Sequence, residues 1–414
     1  MIGVAAFNAP NSGAARQGSL REHNLRLLLR HIVAADRPRS RADLAAATGL
    51  TRATVSALVD DLIGGGLLTE VGPAPRSGAG RPAVGLVLAD HGPAGLGLEI
   101  NVDYLAACVV DLTGGVRYRS VQPAELRQVE PRTALSRLAS LAAAAHAQAE
   151  RQNLAIAGAT LAVPGLVTPD GVVRLAPNLG WRGVDVAAGL PLSNGLHLPL
   201  VVENEANLAA IGELHAVLGS ANFVYVSGEI GIGAGIVLDG ALFRGARGFS
   251  GELGHVTVRP DGPRCRCGAR GCLERYAGQE AILAAAGLGA QGLSRDRAVS
   301  RLADLAATGD PATRGALTAA GRALGVALAG VVNLLDVDTV VLGGSYAPLA
   351  AWLQPAVERE ISRRVLTAAW SPVAVRPALL GPDAAMLGAA GSVVRTLLDR
   401  PAQWLAAATT TGRG

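Results

Sequence analysis

Apolar residues near the start of the chain recur at helical spacing, with polar residues between them. From Leu20 onward they form three segments separated by Pro38 and Gly49, which predicts three helices. The stretch RADLAAATGLTRATVSALVDDL has the form helix, tight turn, helix, in which Thr51 can cap the second helix. The apolar residues spaced to form the buried face of that helix are Val55, Leu58, Val59 and Leu62.

The two short segments that follow alternate apolar and polar residues, as strands do. They are LLTEVG and AVGLVLA, and between them lies PAPRSGAGRP, a loop rich in glycine and proline. The helices and this ribbon together predict a winged helix-turn-helix domain over residues 20–89. We expect residues 1–19 to form a flexible N-terminal segment.

A new pattern begins near residue 90, where apolar, strand-like runs alternate with helical stretches rich in alanine and leucine. The first two runs are joined by a turn from Asn101 to Tyr104, and a second turn follows at DLTGG. Such alternation is typical of an α/β fold in which helices cover a sheet. We expect this region to cover residues 90–400 and to be followed by a flexible tail over residues 401–414.

Composition and charge narrow the possible classes of protein. The chain has 414 residues and is 50% hydrophobic, enough for two or three domains with sizeable cores. It begins without the pattern of a secretory signal, and no stretch of about 18 residues is apolar throughout, so we expect a cytoplasmic protein with no membrane partner. The formal net charge of +4 is too small to imply nucleic-acid binding by itself.

Three of the four cysteines lie close together, with a histidine just upstream. The segment GELGHVTVRPDGPRCRCGARGCLERY contains His255, Cys265, Cys267 and Cys272. One imidazole and three thiolates are the ligands of a closed, structural zinc site, which leaves no position for a catalytic water. Zn²⁺ is therefore the expected cofactor, and a coincidental cluster of buried thiols is the alternative. Cys108, in the apolar run YLAACVV, is expected to be an inert core residue.

The segments GELGHVTV and CRCGARGCLE resemble the signature of the ROK family, which groups repressors, open reading frames and sugar kinases. VENEANLAAIGE and LAVPGLV resemble other hallmarks of that family, and the resemblance extends from the first helices to about Val394. It implies an actin-like or hexokinase-like (ribonuclease H-like) two-lobed α/β domain after the winged helix-turn-helix. It also implies that the zinc braces a loop whose groups contact a sugar.

The resemblance further implies a sugar site. By motif match its residues are Asn204, Glu205, Glu252, His255 and Glu274. Such groups suit a pyranose, because each sugar hydroxyl both donates and accepts hydrogen bonds. If His255 binds zinc through one ring nitrogen, the other is free to donate to a sugar hydroxyl. The alternative is that these carboxylates are ordinary solvated surface groups.

The phosphate-binding loops of the family's kinases are altered in this chain. Their Asp-x-Gly-Gly-Thr becomes EINVD, in which Asn101 and Val102 replace the two glycines and Asp103 replaces the threonine. Their Gly-Thr-Gly becomes EIG, with Glu229 and Ile230, so bulk and negative charge are expected where a polyphosphate would lie. The aspartate base becomes Glu205, one methylene longer, and a displacement of about 1 Å can cost roughly a hundredfold in rate. We therefore expect no enzyme activity.

The winged helix-turn-helix would bind operator DNA. Recognition helices place their N-terminal residues in the major groove, which here are Thr51, Arg52, Thr54 and Ser56. In the wing, Arg76 and Arg81 could enter a narrow minor groove. The alternatives are a protein-docking domain for the helices and a solvated loop for the wing arginines.

These expectations combine into a sugar-responsive transcriptional regulator of carbohydrate genes, with repression relieved by sugar as the default mode. The effector would be a monosaccharide or a sugar phosphate, and two DNA half-sites would need a symmetric homodimer or homotetramer. An active sugar kinase that also binds DNA is one alternative, which the altered loops oppose. A sensor that docks another protein is a second alternative.

Overall fold

The computed structural model describes residues 17–73, 84–190, 198–216, 220–229, 231–289 and 295–410. Its helices are α1 (Gln17–Val33), α2 (Arg41–Thr48), α3 (Arg52–Gly64), α4 (Pro131–Arg151), α5 (Val186–Gly189), α6 (Glu205–Ala216), α7 (Glu274–Ala277), α8 (Gln279–Ala285), α9 (Arg295–Ala307), α10 (Pro311–Leu335), α11 (Tyr346–Arg364), α12 (Ala384–Asp399) and α13 (Pro401–Thr410).

The strands begin with the ribbon and continue through three sheets. They are β1 (Leu68–Pro73), β2 (Val84–Leu88), β3 (Gly92–Ile100), β4 (Tyr104–Asp111), β5 (Val116–Pro123), β6 (Leu154–Val163), β7 (Leu166–Val167), β8 (Val172–Ala176), β9 (Trp181–Asp185), β10 (Leu200–Asn204), β11 (Phe223–Gly228), β12 (Ile232–Leu238), β13 (Ala241–Leu242), β14 (Thr339–Gly344) and β15 (Ala374–Pro377).

The chain divides into two compact units. The terminal unit comprises residues 1–93 together with 395–414, and the central unit comprises residues 94–394. The terminal unit is therefore built from both ends of the sequence.

Helices α1–α3 and the β1–β2 ribbon of the terminal unit agree with the predicted winged helix-turn-helix. Ser40 and Asp43 form a capping box at the start of α2, and Gly49 ends that helix in the left-handed conformation, with φ of 72°. Thr51 caps α3 by accepting a hydrogen bond from the Thr54 amide. The buried residues of α3 are the predicted ones: Val55, Leu58, Val59 and Leu62.

Two details of this unit differ from the expectations, and a third lies outside the described residues. Helix α1 begins at Gln17, slightly before the expected start. Residues 401–410 of the segment expected to be a flexible tail instead form α13, a helix of 10 residues in the same compact unit, and residues 411–414 lie outside the described residues. Arg76 and Arg81 of the wing loop lie outside the described residues.

The central unit contains two five-stranded sheets with the same strand order. In the first, the antiparallel strands β3, β4 and β5 are extended by β6 and β10, and in the second β11, β12 and β13 are extended by β14 and β15. The repeat matches the two lobes of an actin-like or hexokinase-like domain and confirms the predicted fold class. A three-stranded sheet, β7–β9, accompanies the first lobe.

The lobes have separate hydrophobic cores. Helix α4 covers the first sheet, where Trp181 is buried, and α7–α11 cover the second, where Tyr346 is fully buried. Cys108 is buried as predicted, and its thiol donates to the Met386 carbonyl of α12 at 3.3 Å. Helix α10 is long and apolar enough to span a membrane, but 56% of its most apolar window is buried within the protein, as in a core helix.

Candidate functional site

The predicted zinc ligands converge in the second lobe. One donor atom from each of His255, Cys265, Cys267 and Cys272 lies within 4.8 Å of the other three. The Cys265 Sγ lies 3.8 Å from the His255 Nδ1, and the Cys267 and Cys272 Sγ atoms lie 3.6 Å apart. The fourth cysteine, Cys108, lies in the first lobe and has no part in the cluster.

The spacing of these four atoms fits a tetrahedral zinc ion. Zn–S bonds of about 2.3 Å in a tetrahedron separate two ligand sulfurs by about 3.8 Å, close to the 3.6 Å between Cys267 and Cys272. Two isolated β-bridges hold the segment together, Thr257 with Cys272 and Arg264 with Arg270. The residues present therefore suit a structural zinc site.

His255 has its two ring nitrogens on different neighbours. Its Nδ1 is directed at the sulfur cluster, while its Nε2 lies 4.0 Å from the Glu252 carboxylate. Burial and the nearby Glu274 raise the pKa of Glu252, although His255 opposes that shift. The ring therefore lies between the cysteine cluster and the carboxylate of Glu252.

Glu274 faces a residue that the sequence analysis missed. A Cβ at Gly231 would lie 2.7 Å from the Glu274 carboxylate and 3.8 Å from the Asn178 amide nitrogen, so both side chains surround that glycine. Asn178 is half-buried in the turn between β8 and β9. Its signal in the sequence is the short motif APNLGW, where a turn residue able to donate and accept stands between buried positions.

Asn204 and Glu205 lie at the junction of β10 and α6, where Asn204 is used by the protein itself. Its Oδ1 accepts from the Ala206 and Asn207 amides at 2.8 and 3.2 Å, in the manner of a helix cap. Its Nδ2 donates to the Gly165 carbonyl and to Glu205 at 3.1 and 2.9 Å. Asn204 could therefore reach a sugar only by exchanging one of these bonds.

The carboxyl group of Glu205 is buried, and this burial raises its pKa to about 8. The nearby carboxylates of Glu252 and Glu99 raise the pKa further. At neutral pH the group is therefore mostly protonated and can donate a hydrogen bond.

A small cleft between the lobes opens beside Glu205. It is lined by Glu99, Asn101, Tyr104, Glu205, Ala209, Tyr225, Ser227, Glu229, Gly344, Gly381, Pro382, Ala384 and Ala385. The Tyr104 hydroxyl donates to Glu99 at 2.6 Å, and the Asn101 amide lies 3.3 Å from that hydroxyl. Side chains of the EINVD segment, Glu99 and Asn101, and the adjacent Tyr104 thus line the cleft and bond to one another.

The expectation that Val102 and Asp103 obstruct this cleft is wrong. Val102 does not stand in the path of a polyphosphate, because it is only 3% exposed and belongs to the core of the first lobe. Asp103 is also not among the lining residues. Glu99 and Tyr104 line the cleft from the first lobe, and Glu229 lines it from the second. Ile230 lies outside the described residues.

Two glycines near the ends of β11 and β14 in the second lobe accommodate tyrosine rings. A Cβ at Gly228 would lie 2.5 Å from the Tyr346 ring, and one at Gly343 would lie 2.1 Å from the Tyr225 hydroxyl. The Tyr346 hydroxyl donates to the Ala277 carbonyl at 2.8 Å. These glycines therefore allow close packing of aromatic side chains, which accounts for them without a bound phosphate.

The predicted DNA-contacting residues of α3 differ in how available they are. The Thr51 and Thr54 hydroxyls lie 2.8 Å from each other and take part in capping, and Ser56 is half-buried. Arg52 is exposed and forms no ion pair within the part of the chain that the structure describes. Of these four residues, Arg52 has the freest side chain.

The family model of the ROK family matches residues 95–395. The xylose repressor of Bacillus subtilis is 32% identical over 93% of this chain and 98% of its own length. This chain belongs to the ROK family. A solved ROK family transcriptional regulator, a homologue of the Escherichia coli Mlc protein, covers 95% of this ROK chain and 100% of its own, with 25% identity and a TM-score of 0.77.

A kinase of the ROK family matches a smaller part of the chain. The ROK glucokinase of Streptomyces griseus, solved with glucose and AMPPNP, is 27% identical and covers 72% of this chain and 98% of its own, with a TM-score of 0.61. The two regulators thus match 93% and 95% of this ROK protein, whereas the glucokinase matches 72% of it.

Proposed function

We propose that this protein is a sugar-responsive, DNA-binding transcriptional regulator of the repressor type. The observation that carries the proposal is the pairing of a helix-turn-helix with a ROK domain in one chain that matches a xylose repressor over 93% of its length. A regulator of this kind works in the compartment that holds the DNA, in line with the expected cytoplasmic location.

The effector that best suits the predicted site is an uncharged monosaccharide. Glu274 and Asn178 both lie beside Gly231, and the Glu252 carboxylate lies 4.0 Å from the His255 Nε2. These groups can bind several hydroxyls in a fixed pattern, whereas two carboxylates would repel a phosphate. Of the two effector types expected from the sequence, the unphosphorylated sugar is therefore favoured.

Zinc, bound by His255 and the three cysteines, would hold the segment that carries the sugar-binding groups. A closed site of this kind supplies folding energy and no reactive water. Within the chain, His255 would then donate from its Nε2 to the sugar or to Glu252, with its tautomer fixed by the metal on the other nitrogen. The metal and the sugar are thereby coupled through one side chain.

Regulation follows from linkage between the two binding events. A sugar that binds the DNA-releasing conformation more tightly shifts the population towards it, by no more than its differential affinity. We propose a symmetric homo-oligomer as the DNA-binding form, since a dimer reads two half-sites one helical turn apart or more.

Two substitutions separate sensing from DNA binding. Glu252→Gln removes a charge that accepts from sugar hydroxyls, so sugar affinity is expected to fall by roughly 1–3 kcal/mol while DNA binding is retained. Arg52→Ala should lower DNA affinity by about the same amount and leave the sugar-induced thermal shift unchanged. The measurements are thermal shift with D-xylose and D-glucose, and gel shift on duplexes selected from a random library.

Each variant is the control for the other. The assignment of sensing to this site would be wrong if folded Glu252→Gln kept its full sugar response or lost DNA binding. The assignment of DNA contact to α3 would be wrong if Arg52→Ala bound the selected duplexes as tightly as the unchanged protein.

An active sugar kinase remains the second candidate, because the Streptomyces griseus glucokinase shares the fold of the central unit. We expect no turnover in the ordinary enzymatic range of about 1 per second or faster, since Glu205 is one methylene longer than the aspartate base of the family's kinases and acidic groups line the cleft. A coupled assay with ATP and a panel of hexoses and pentoses tests this. Sustained sugar-dependent ADP release that is lost in Glu205→Gln would establish the kinase instead.

A further inference from the structure

Helix α13 is attached to the end of α3 through a tryptophan. The Trp404 indole Nε1 donates to the Gly65 carbonyl at 2.9 Å, directly after the last residue of α3. Trp404 is half-buried, and its neighbour Leu405 is 8% exposed. All of these residues belong to the terminal unit.

The packing at this point leaves no space for a larger residue at Gly65. A Cβ at Gly65 would lie 2.1 Å from the Leu405 Cδ2, whereas a Cβ at the preceding Gly64 would meet nothing within 4 Å. Gly65 has an ordinary negative φ of −83°, so the glycine is needed for close approach and not for backbone conformation.

Helix α13 is also fixed to α1. The Glu22 carboxylate accepts a hydrogen bond from the Ala402 amide at 3.1 Å, in the first turn of α13. A negative charge at this end of a helix is stabilised by the positive end of the helix dipole. Just before α13, Asp399 lies 3.6 Å from Arg30 of α1. Helix α13 thus connects the first helix of the unit to the end of the third.

We propose that Trp404 is a positioning residue for DNA recognition, which sets the orientation of α3 from its C-terminal end. This proposal rests on the proposed DNA-binding function. Helix α3 has 13 residues, so it is about 20 Å long, and a tilt of about 5° at Gly64 would move its first residues by about 1.5 Å. Hydrogen bonds to base edges do not tolerate such a displacement, but contacts to phosphates through long side chains do.

The test compares specific with non-specific DNA binding in the full-length protein. A duplex selected from a random library by the unchanged protein is the specific probe, and a scrambled duplex of equal length is the non-specific probe. Trp404→Ala is expected to lower affinity for the selected duplex by at least about tenfold and for the scrambled duplex by less than about twofold. The salt dependence of binding to the scrambled duplex should stay the same, because phosphate contacts are retained.

A matched glycine pair checks the mechanism. Gly65→Val should displace Leu405 and reproduce the loss of specific affinity, whereas Gly64→Val, with the same added side chain in open space, should not. Trp404→Phe retains an aromatic ring but loses the N–H donor of the indole. Its affinity for the selected duplex should therefore lie between those of the unchanged protein and Trp404→Ala.

Two results would overturn the proposal. One is a Trp404→Ala variant that binds the selected duplex as tightly as the unchanged protein. The other is an equal loss on both probes with a melted terminal unit, which would show a purely structural role. If the unchanged protein selects no duplex at all, the proposed DNA-binding function itself fails, and the two failures are thereby distinguished.

Discussion

Cys272→Ser is expected to abolish zinc binding and to lower the stability of the central unit substantially. Cys272 is fully buried and contributes one of the four ligand atoms that lie within 4.8 Å of one another. A structural zinc ion supplies folding free energy directly, so we expect a loss of roughly 3–5 kcal/mol and a fall of about 10 °C in the unfolding midpoint. Elemental analysis and scanning calorimetry measure both effects.

Cys108→Ala is the control, because Cys108 is a buried cysteine outside the cluster. It should keep one zinc per chain, and a strong chelator should bring the unchanged protein close to the stability of Cys272→Ser. Freshly purified protein without zinc, or a Cys272→Ser variant that retains a full equivalent of metal, would contradict the assignment.

Glu205→Gln is expected to stabilise the protein increasingly as the pH rises. The pKa of Glu205 is raised from 4.5 to about 8, so folding favours its protonated form. That contribution to stability is fully present below pH 4.5 and is lost as the pH rises through about 8, whereas glutamine stays neutral throughout. The variant should therefore gain about 2–4 kcal/mol relative to the unchanged protein between pH 5 and pH 9.

Denaturant unfolding at a series of pH values measures this difference. Glu130→Gln is a suitable control, because Glu130 is exposed and its side chain makes no capping bond. A Glu205→Gln variant whose stability parallels that of the unchanged protein across this pH range would show that the carboxyl group is solvated.

Local patterns predicted the parts of the fold that depend on neighbouring residues in sequence. The buried face of α3 followed from helical spacing, and the cap at Thr51 followed from its position before an apolar run. The four residues of the His255 and cysteine cluster could be chosen because soft metal-ligand side chains lie within one short segment. In each case the interacting residues lie close together in the sequence, or few other residues of the chain could make the same interaction.

The contents of the cleft could not be predicted in the same way. Val102 was expected to obstruct a phosphate, but in the turn between β3 and β4 its side chain packs into the core of the first lobe. Glu99 and Tyr225 line the cleft from different sheets, and their approach depends on how the two lobes pack. The helix α13 was missed because the stretch after Pro401 was interpreted without its partners on α1 and α3.

The terminal unit is assembled from both ends of the sequence, and this affects how the protein is made. Because the chain leaves the ribosome N-terminus first, residues 1–93 emerge long before residues 395–410. A helix-turn-helix that was complete on its own could occupy operators during synthesis, or as a shortened product, without any sugar sensor attached. A unit that needs α13 acquires its final form only after the entire central unit has been translated.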